Sequence, residues 1–153
     1  MNRRYLTTPI YYATGDPHLG HAYTTVLTDA LARYYRQTGA DVLFLTGTDE
    51  HGQKMQETAA KKDMTPIALA DQMAESFEAA WKDLNISFDR FIRTTEAEHI
   101  DVVTVVLERL WSKGRIYEDV YSGWYCLHEE RYWTEKEVGT ERLCPDCKRP
   151  VEF

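Results

Sequence analysis

Asp41-Val-Leu-Phe-Leu-Thr46 is a continuous apolar run of strand length, with Gly39 shortly before it and Gly47 directly after. An apolar run without polar alternation suits a buried parallel strand. Reading upstream, residues from Leu19 onward carry Ala22, Val26, Leu27, Ala30, Leu31 and Tyr34 at three- and four-residue steps, the pattern of an amphipathic helix. Gly39 suits the position after that helix. Before the helix, Ala13-Thr-Gly-Asp-Pro17 is turn chemistry, and Arg4 to Ile10 is β-like. Strand, glycine-bearing turn, helix and strand therefore follow one another.

Downstream the alternation continues. Gly47 to Gly52 reads as a loop, with a second helix from near His51. Thr65-Pro66 reads as an N-cap followed by Pro at the first helical position, opening a helix that carries Ile67 to Leu84. Phe88 to Thr95 is a short strand region. Glu96 to Lys113 is a further helix, with Val102, Val103, Val106, Leu107 and Leu110, and Gly114 ends it. This order predicts an α/β fold, the first half of a Rossmann-like, doubly wound parallel sheet. After Arg115 the character changes. Ile116 to Tyr125 alternates, with a hairpin turn expected at Ser122-Gly123, and the cysteines follow. Two domains are expected: 1–115, and a small β-rich unit over 116–153.

The chain has 153 residues, enough for a core without disulfide staples. With 25 Asp+Glu against 18 Lys+Arg its net charge is −7, which argues against non-specific coating of nucleic acid. The Lys61-Lys62 pair and the basic residues between Arg142 and Arg149 read first as solvated faces, with RNA phosphate as the alternative. No apolar run is long enough to span a bilayer, and no secretory signal opens the chain. Three cysteines cannot all pair, and two stand as Cys144-Pro-Asp-Cys147. That favours a reducing, cytoplasmic setting and a metal knuckle over a disulfide framework.

Three groups of residues carry chemistry. His18-Leu-Gly-His21 sits where a helix begins. A helix N-terminus suits phosphate, and two imidazoles three residues apart can donate to its oxygens. Ordinary polar capping is the competing reading. Asp49, just past the central strand, either accepts an ammonium group or caps the next helix. Pro9-Ile10-Tyr11-Tyr12 is either a side-chain pocket with aromatic walls or a buried strand end.

Residues 8–25, Thr8-Pro-Ile-Tyr-Tyr-Ala-Thr-Gly-Asp-Pro-His-Leu-Gly-His-Ala-Tyr-Thr-Thr25, resemble the histidine signature of class I aminoacyl-tRNA synthetases. Phe44-Leu-Thr-Gly-Thr-Asp-Glu-His-Gly-Gln-Lys54, Ile92-Arg-Thr-Thr95 and Gly123-Trp-Tyr-Cys126 resemble the methionyl branch at the matching order and spacing. The resemblance implies activation of methionine by ATP with Mg2+, then transfer to tRNA(Met). It assigns His18 and His21 to the ATP phosphates and Gly20 to close approach of the nucleotide. It assigns Pro9, Ile10 and Tyr12 to the methionine side chain, and Asp49 to the amino group. The family's metal-binding members carry a second Cys-x-x-Cys where this chain has Cys126 and Glu129, with His128 adjacent. Two outcomes stand: Zn2+ on Cys126, Cys144 and Cys147 with His128 or Glu129, or a knuckle without metal. The family's second catalytic signature, a lysine-rich loop, does not occur in the sequence. The chain therefore reads as an N-terminal piece, expected to be inactive alone. The alternative is a free-standing nucleotide- or amino-acid-binding module.

Overall fold

The computed structural model describes residues 2–153. It comprises two compact units, one ending at Val105 and the other spanning Val106–Phe153. In the first, β1 (Arg3–Thr7), β2 (Tyr11–Tyr12), α1 (Leu19–Gln37), β3 (Asp41–Asp49), α2 (Gln53–Lys61), α3 (Pro66–Asp83) and β4 (Arg90–Arg93) follow in order. Helix α4 (Ala97–Ser112) crosses the division.

Strand β3 is the hub of a parallel sheet. It pairs with β1 and β2 in succession along one side and with β4 along the other. Thr7 pairs with Leu45 and Tyr11 with Thr48, so residues 8–11 span what 46–48 span on β3, one residue more. Pro9, which has no N–H to give, lies in that bulge. Gly47 is required for the β4 pairing. A Cβ there would fall 2.0 Å from the Ile92 carbonyl oxygen, far inside contact distance. The expected α/β architecture with a parallel, Rossmann-like sheet is what the chain adopts.

Local expectations hold where the chemistry is local. Gly39 follows α1 in a positive-φ conformation. Thr65 caps α3 through its side chain, accepting from the Ala68 N–H, with Pro66 at the helix start. Helix α3 supplies most of the core: Leu69, Ala70 and Met73 pack with Met55 and Ala13, while Phe77 and Trp81 pack with Tyr11 and Phe91.

Helix α1 departs from expectation. Its buried residues are Thr25, Asp29 and Ala32, whereas Val26, Leu27, Leu31 and Tyr34 are 44–58% exposed. Polar anchoring sets this face. Tyr11 Oη and Thr25 Oγ1 are 2.9 Å apart, and Asp29 accepts from the Ser87 N–H at 2.7 Å and from Arg33 Nε at 2.6 Å. Burial raises the Asp29 pKa, but the bonds from Ser87 and Arg33 outweigh it and leave the carboxyl below its ordinary value. No residue of α4 is buried, so its expected apolar stripe faces solvent. No helix among the described residues is long and apolar enough to cross a membrane.

In the second unit, β5 (Trp124–Cys126) and β6 (Arg131–Trp133) pair antiparallel, and α5 (Glu135–Val138) follows behind a Thr134–Glu137 capping box. Its core is Trp124, Cys126, Trp133, Val138, Cys144 and Val151. The hairpin expected at Ser122-Gly123 lies elsewhere. Residues 117–123 take no regular structure, and the turn is at 127–130, with Glu130 at φ 51°.

Candidate active site

His18 is the N-cap of α1. Its Nδ1 accepts from the Gly20 N–H at 3.1 Å, and His21 Nδ1 accepts from the His18 N–H at 3.3 Å. The capping reading of these histidines is therefore correct. With both Nδ1 atoms accepting, each neutral ring carries its proton on Nε2. Neither Nε2 makes a hydrogen bond among the described residues. The rings stack with centroids 3.6 Å apart and planes 17° apart, which sets two donors side by side. Gly20 allows this arrangement, because a Cβ there would stand 3.0 Å from His18 Cε1. Burial, and then the charge of His18, push the His21 pKa below its ordinary value. His21 is thus a neutral donor near pH 7.

The wall behind His21 is aromatic. Tyr11 lies 4.6 Å from the His21 ring and stacks on Phe77 at 5.6 Å. A cavity of about 340 Å³ opens at this point, lined by Ile10, Tyr11, Tyr12, Gly15, His18 and His21 among others. Four of the predicted residues, Ile10, Tyr12, His18 and His21, thus share one cavity. Pro9, Gly20 and Asp49 do not line it. Tyr12 pairs with Asp49 across the β2–β3 ladder, so that carboxylate stands at the same C-terminal end of the sheet. Ligands in open α/β sheets sit beyond this end.

Asp49 is half-buried, and its carboxylate has no partner among the described residues. It does not cap α2, whose N-cap is Gly52 without a side-chain bond. The adjacent Glu50 is fully engaged instead. Its side chain is 0% exposed and accepts from Thr48 Oγ1 at 2.6 Å and from Arg93 Nε and Nη2 at 2.8 and 3.1 Å. Thr95 Oγ1 donates to it as well. Arg93 also bonds Asp71 at 2.7 Å, and these carboxylates raise its pKa further. The node ties the ends of β3 and β4 to α3 and so fixes the chain at Asp49. Glu50 and Arg93 are not among the site residues predicted from sequence, and Tyr11 is predicted only as a member of the Pro9–Tyr12 group. Ile92-Arg-Thr-Thr95 stood out as a block, but its pairing with Glu50 spans a parallel register that no local pattern reveals.

In the second unit, the sulfurs of Cys126, Cys144 and Cys147 lie within 4.8 Å of one another, with Cys126 and Cys147 at 3.6 Å. A tetrahedral Zn2+ with Zn–S bonds of about 2.3 Å requires S···S separations of about 3.8 Å, so the donor set fits that ion. His128, Glu129 and Cys147 form an adjoining group of the same compactness. Burial raises the Cys144 pKa, but the Cys147 and Asp146 N–H groups and the neighbouring thiols outweigh it and bring it below the ordinary value. Burial pushes the Cys147 thiol up.

A family model described as tRNA synthetases class I (M) matches residues 4–152. The methionine–tRNA ligase of Clostridium tetani is 51% identical over 154 residues, which cover 99% of this chain and 24% of that protein. That of Thermotoga maritima is 48% identical over 152 residues, 97% of this chain and 24% of that protein. A Mycobacterium tuberculosis methionyl-tRNA synthetase, solved in complex with methionyl-adenylate, matches with a TM-score of 0.91 at 44% identity, over 99% of this chain and 30% of that one. The chain spans about a quarter of the length of the curated relatives it matches.

Proposed function

Because the chain belongs to the class I tRNA synthetases of the methionine (M) family, we propose that it forms part of a site that activates methionine with ATP and passes the methionyl group to tRNA(Met). One observation carries this reading: the stacked His18–His21 pair, with both Nε2–H donors free, lines a cavity at the sheet end where Asp49 keeps an unpartnered carboxylate.

In activation, a methionine carboxylate oxygen attacks the α-phosphorus of ATP. The bond to pyrophosphate breaks, and methionyl-adenylate forms. ATP enters with Mg2+ as part of the substrate. His18 and His21 donate through Nε2–H to phosphate oxygens as charge builds on them, with Gly20 giving the nucleotide access to backbone. A neutral His21 donates through Nε2–H without adding a positive charge beside His18. Asp49 takes the α-ammonium group, fixing the amino acid so that its carboxylate faces the phosphate. Ile10 and Tyr12 flank the thioether side chain, with Pro9 at the edge, and aromatic–sulfur contact favours methionine.

The relatives are about four times longer, and activity belongs to a polypeptide of that length. The 153-residue chain alone supplies one part of the site. We place the domain boundary near Arg115, after α4, and the location in the cytoplasm. Zn2+ held by Cys126, Cys144 and Cys147, with His128 or Glu129 as fourth ligand, would hold the second unit together.

The test is methionine-dependent ATP–pyrophosphate exchange by a chain of the relatives' length that carries these residues. Exchange that requires methionine and falls in His21→Asn supports the reading. Exchange indifferent to methionine overturns it.

A further inference from the structure

We propose that Tyr11 is a positioning residue for His21: its ring and hydroxyl hold the imidazole in one orientation, with Nε2–H left to donate, and it acts through His21 rather than on the substrate. This rests on the reading of His21 as a donor to phosphate.

Strand alternation gives the two neighbouring tyrosines different tasks. Tyr12 is 57% exposed and lines the cavity, whereas Tyr11 is only 6% exposed. The Tyr11 ring is fixed by Phe77, stacked at 5.6 Å with planes 9° apart, and by Trp81 at 5.9 Å. It meets the His21 ring at 4.6 Å, and Phe77 meets the same imidazole at 5.3 Å. With His18 stacked at 3.6 Å, the His21 ring has three aromatic neighbours. A flip of that ring takes Nδ1 away from the His18 N–H and has to displace packed rings.

The hydroxyl secures the backbone that carries the ring. Thr25 Oγ1 donates to the His21 carbonyl oxygen at 2.9 Å, which uses its one proton. The Tyr11 Oη–Thr25 Oγ1 bond of 2.9 Å is therefore donated by Tyr11. Tyr11 Oη also stands 3.4 Å from the His21 carbonyl oxygen. Thr25 is 0% exposed and Tyr11 belongs to β2, so this relay ties the first turn of α1 to the sheet out of reach of water. Buried hydroxyl networks with every member engaged rigidify the groups they join. A donor held in this way meets a developing charge without reorganising, which is what makes a preorganised hydrogen bond effective.

The experiment measures methionine-dependent ATP–pyrophosphate exchange in a chain of the relatives' length, in a double-mutant cycle between Tyr11→Phe and His21→Asn. Tyr11→Phe keeps the ring and removes only the hydroxyl. It is expected to lower kcat about tenfold with the methionine KM unchanged, since a small misplacement of a reacting group is costly. In the His21→Asn background the same substitution is expected to change kcat by less than about twofold. Thr25→Val is expected to match Tyr11→Phe, and Thr25→Ser, which keeps the hydroxyl, to hold exchange near the wild-type rate. An equal loss from Tyr11→Phe in both backgrounds means that Tyr11 only packs the core, and it overturns the inference. A kcat unmoved by Tyr11→Phe overturns it too, and in either case a loss in His21→Asn leaves His21 standing as a donor. If His21→Asn itself leaves kcat unchanged, the reading of His21 falls and this inference with it.

Discussion

Arg93→Met removes two hydrogen bonds and the counter-charge from a carboxylate that has no contact with water. Glu50 is 0% exposed at its side chain, and Arg93 reaches it with Nε at 2.8 Å and Nη2 at 3.1 Å. Hydrogen bonds to charged groups contribute about 1.5–3 kcal/mol each, and breaking a buried pair by removing one partner costs about 3–5 kcal/mol. The Thr48 and Thr95 hydroxyls remain to donate, and Arg93 is itself 27% exposed. Both facts place the effect at the lower end, about 3 kcal/mol. Asp71, released by the same substitution, is 54% exposed at its side chain and adds little. For a domain of this size, about 3 kcal/mol lowers Tm by roughly 12–24 °C. The assay is urea unfolding followed by tryptophan fluorescence, since Trp81 lies in the α3 core. Glu50→Gln and the double variant complete a cycle. A neutral amide needs no counter-charge, so Arg93→Met is expected to cost much less in the Glu50→Gln background. A loss under about 1 kcal/mol for Arg93→Met alone would mean the pair behaves as a surface bridge, and the node would then not fix Asp49.

Gly47→Ala places a Cβ about 2.0 Å from the Ile92 carbonyl oxygen, so β4 must separate from β3. A loss of at least about 3 kcal/mol in urea unfolding is expected, and a near-neutral substitution would contradict the β3–β4 register. His21 is expected to titrate below 6.5 by NMR, and His18→Gln to move its midpoint upward by removing the neighbouring charge, the smaller cause after burial. The folded state binds the His21 proton more weakly than the unfolded state, so its contribution is fully present above pH 6.5 and is lost as pH falls through the lower folded value. A His21 midpoint above 6.5, or one unmoved by His18→Gln, would remove the neutral-donor argument.

What the sequence disclosed was what local chemistry decides. The apolar run at β3 announced a parallel strand, Thr65-Pro66 announced a helix start, and the His18–His21 spacing placed both rings on one helical turn. Contacts between distant segments were not legible. The buried face of α1 is set by Asp29 meeting Ser87 and by Thr25 meeting Tyr11, partners in other segments of the chain. Glu50 and Arg93 meet only because β3 and β4 pair in one particular register. The hairpin was misplaced for a different reason. Ser122-Gly123 is the better turn dipeptide, but the chain turns at 127–130 and accepts Glu130 in the left-handed region, a conformation uncommon for side-chain-bearing residues. Packing of Trp124, Trp133 and the three cysteines holds the turn there.

On the proposed function, His18, His21 and Asp49 serve one reaction on methionine and ATP. Methionine-dependent ATP–pyrophosphate exchange, in a chain of the relatives' length, tests it most directly. His21→Asn removes one preorganised donor and is expected to lower kcat about 10²–10³-fold with little change in the methionine KM. Asp49→Asn removes a charge-assisted contact to the ammonium group and is expected to raise the methionine KM by about 10–100-fold. Exchange that proceeds without methionine, or that keeps its kcat in His21→Asn and its KM in Asp49→Asn, would contradict the account.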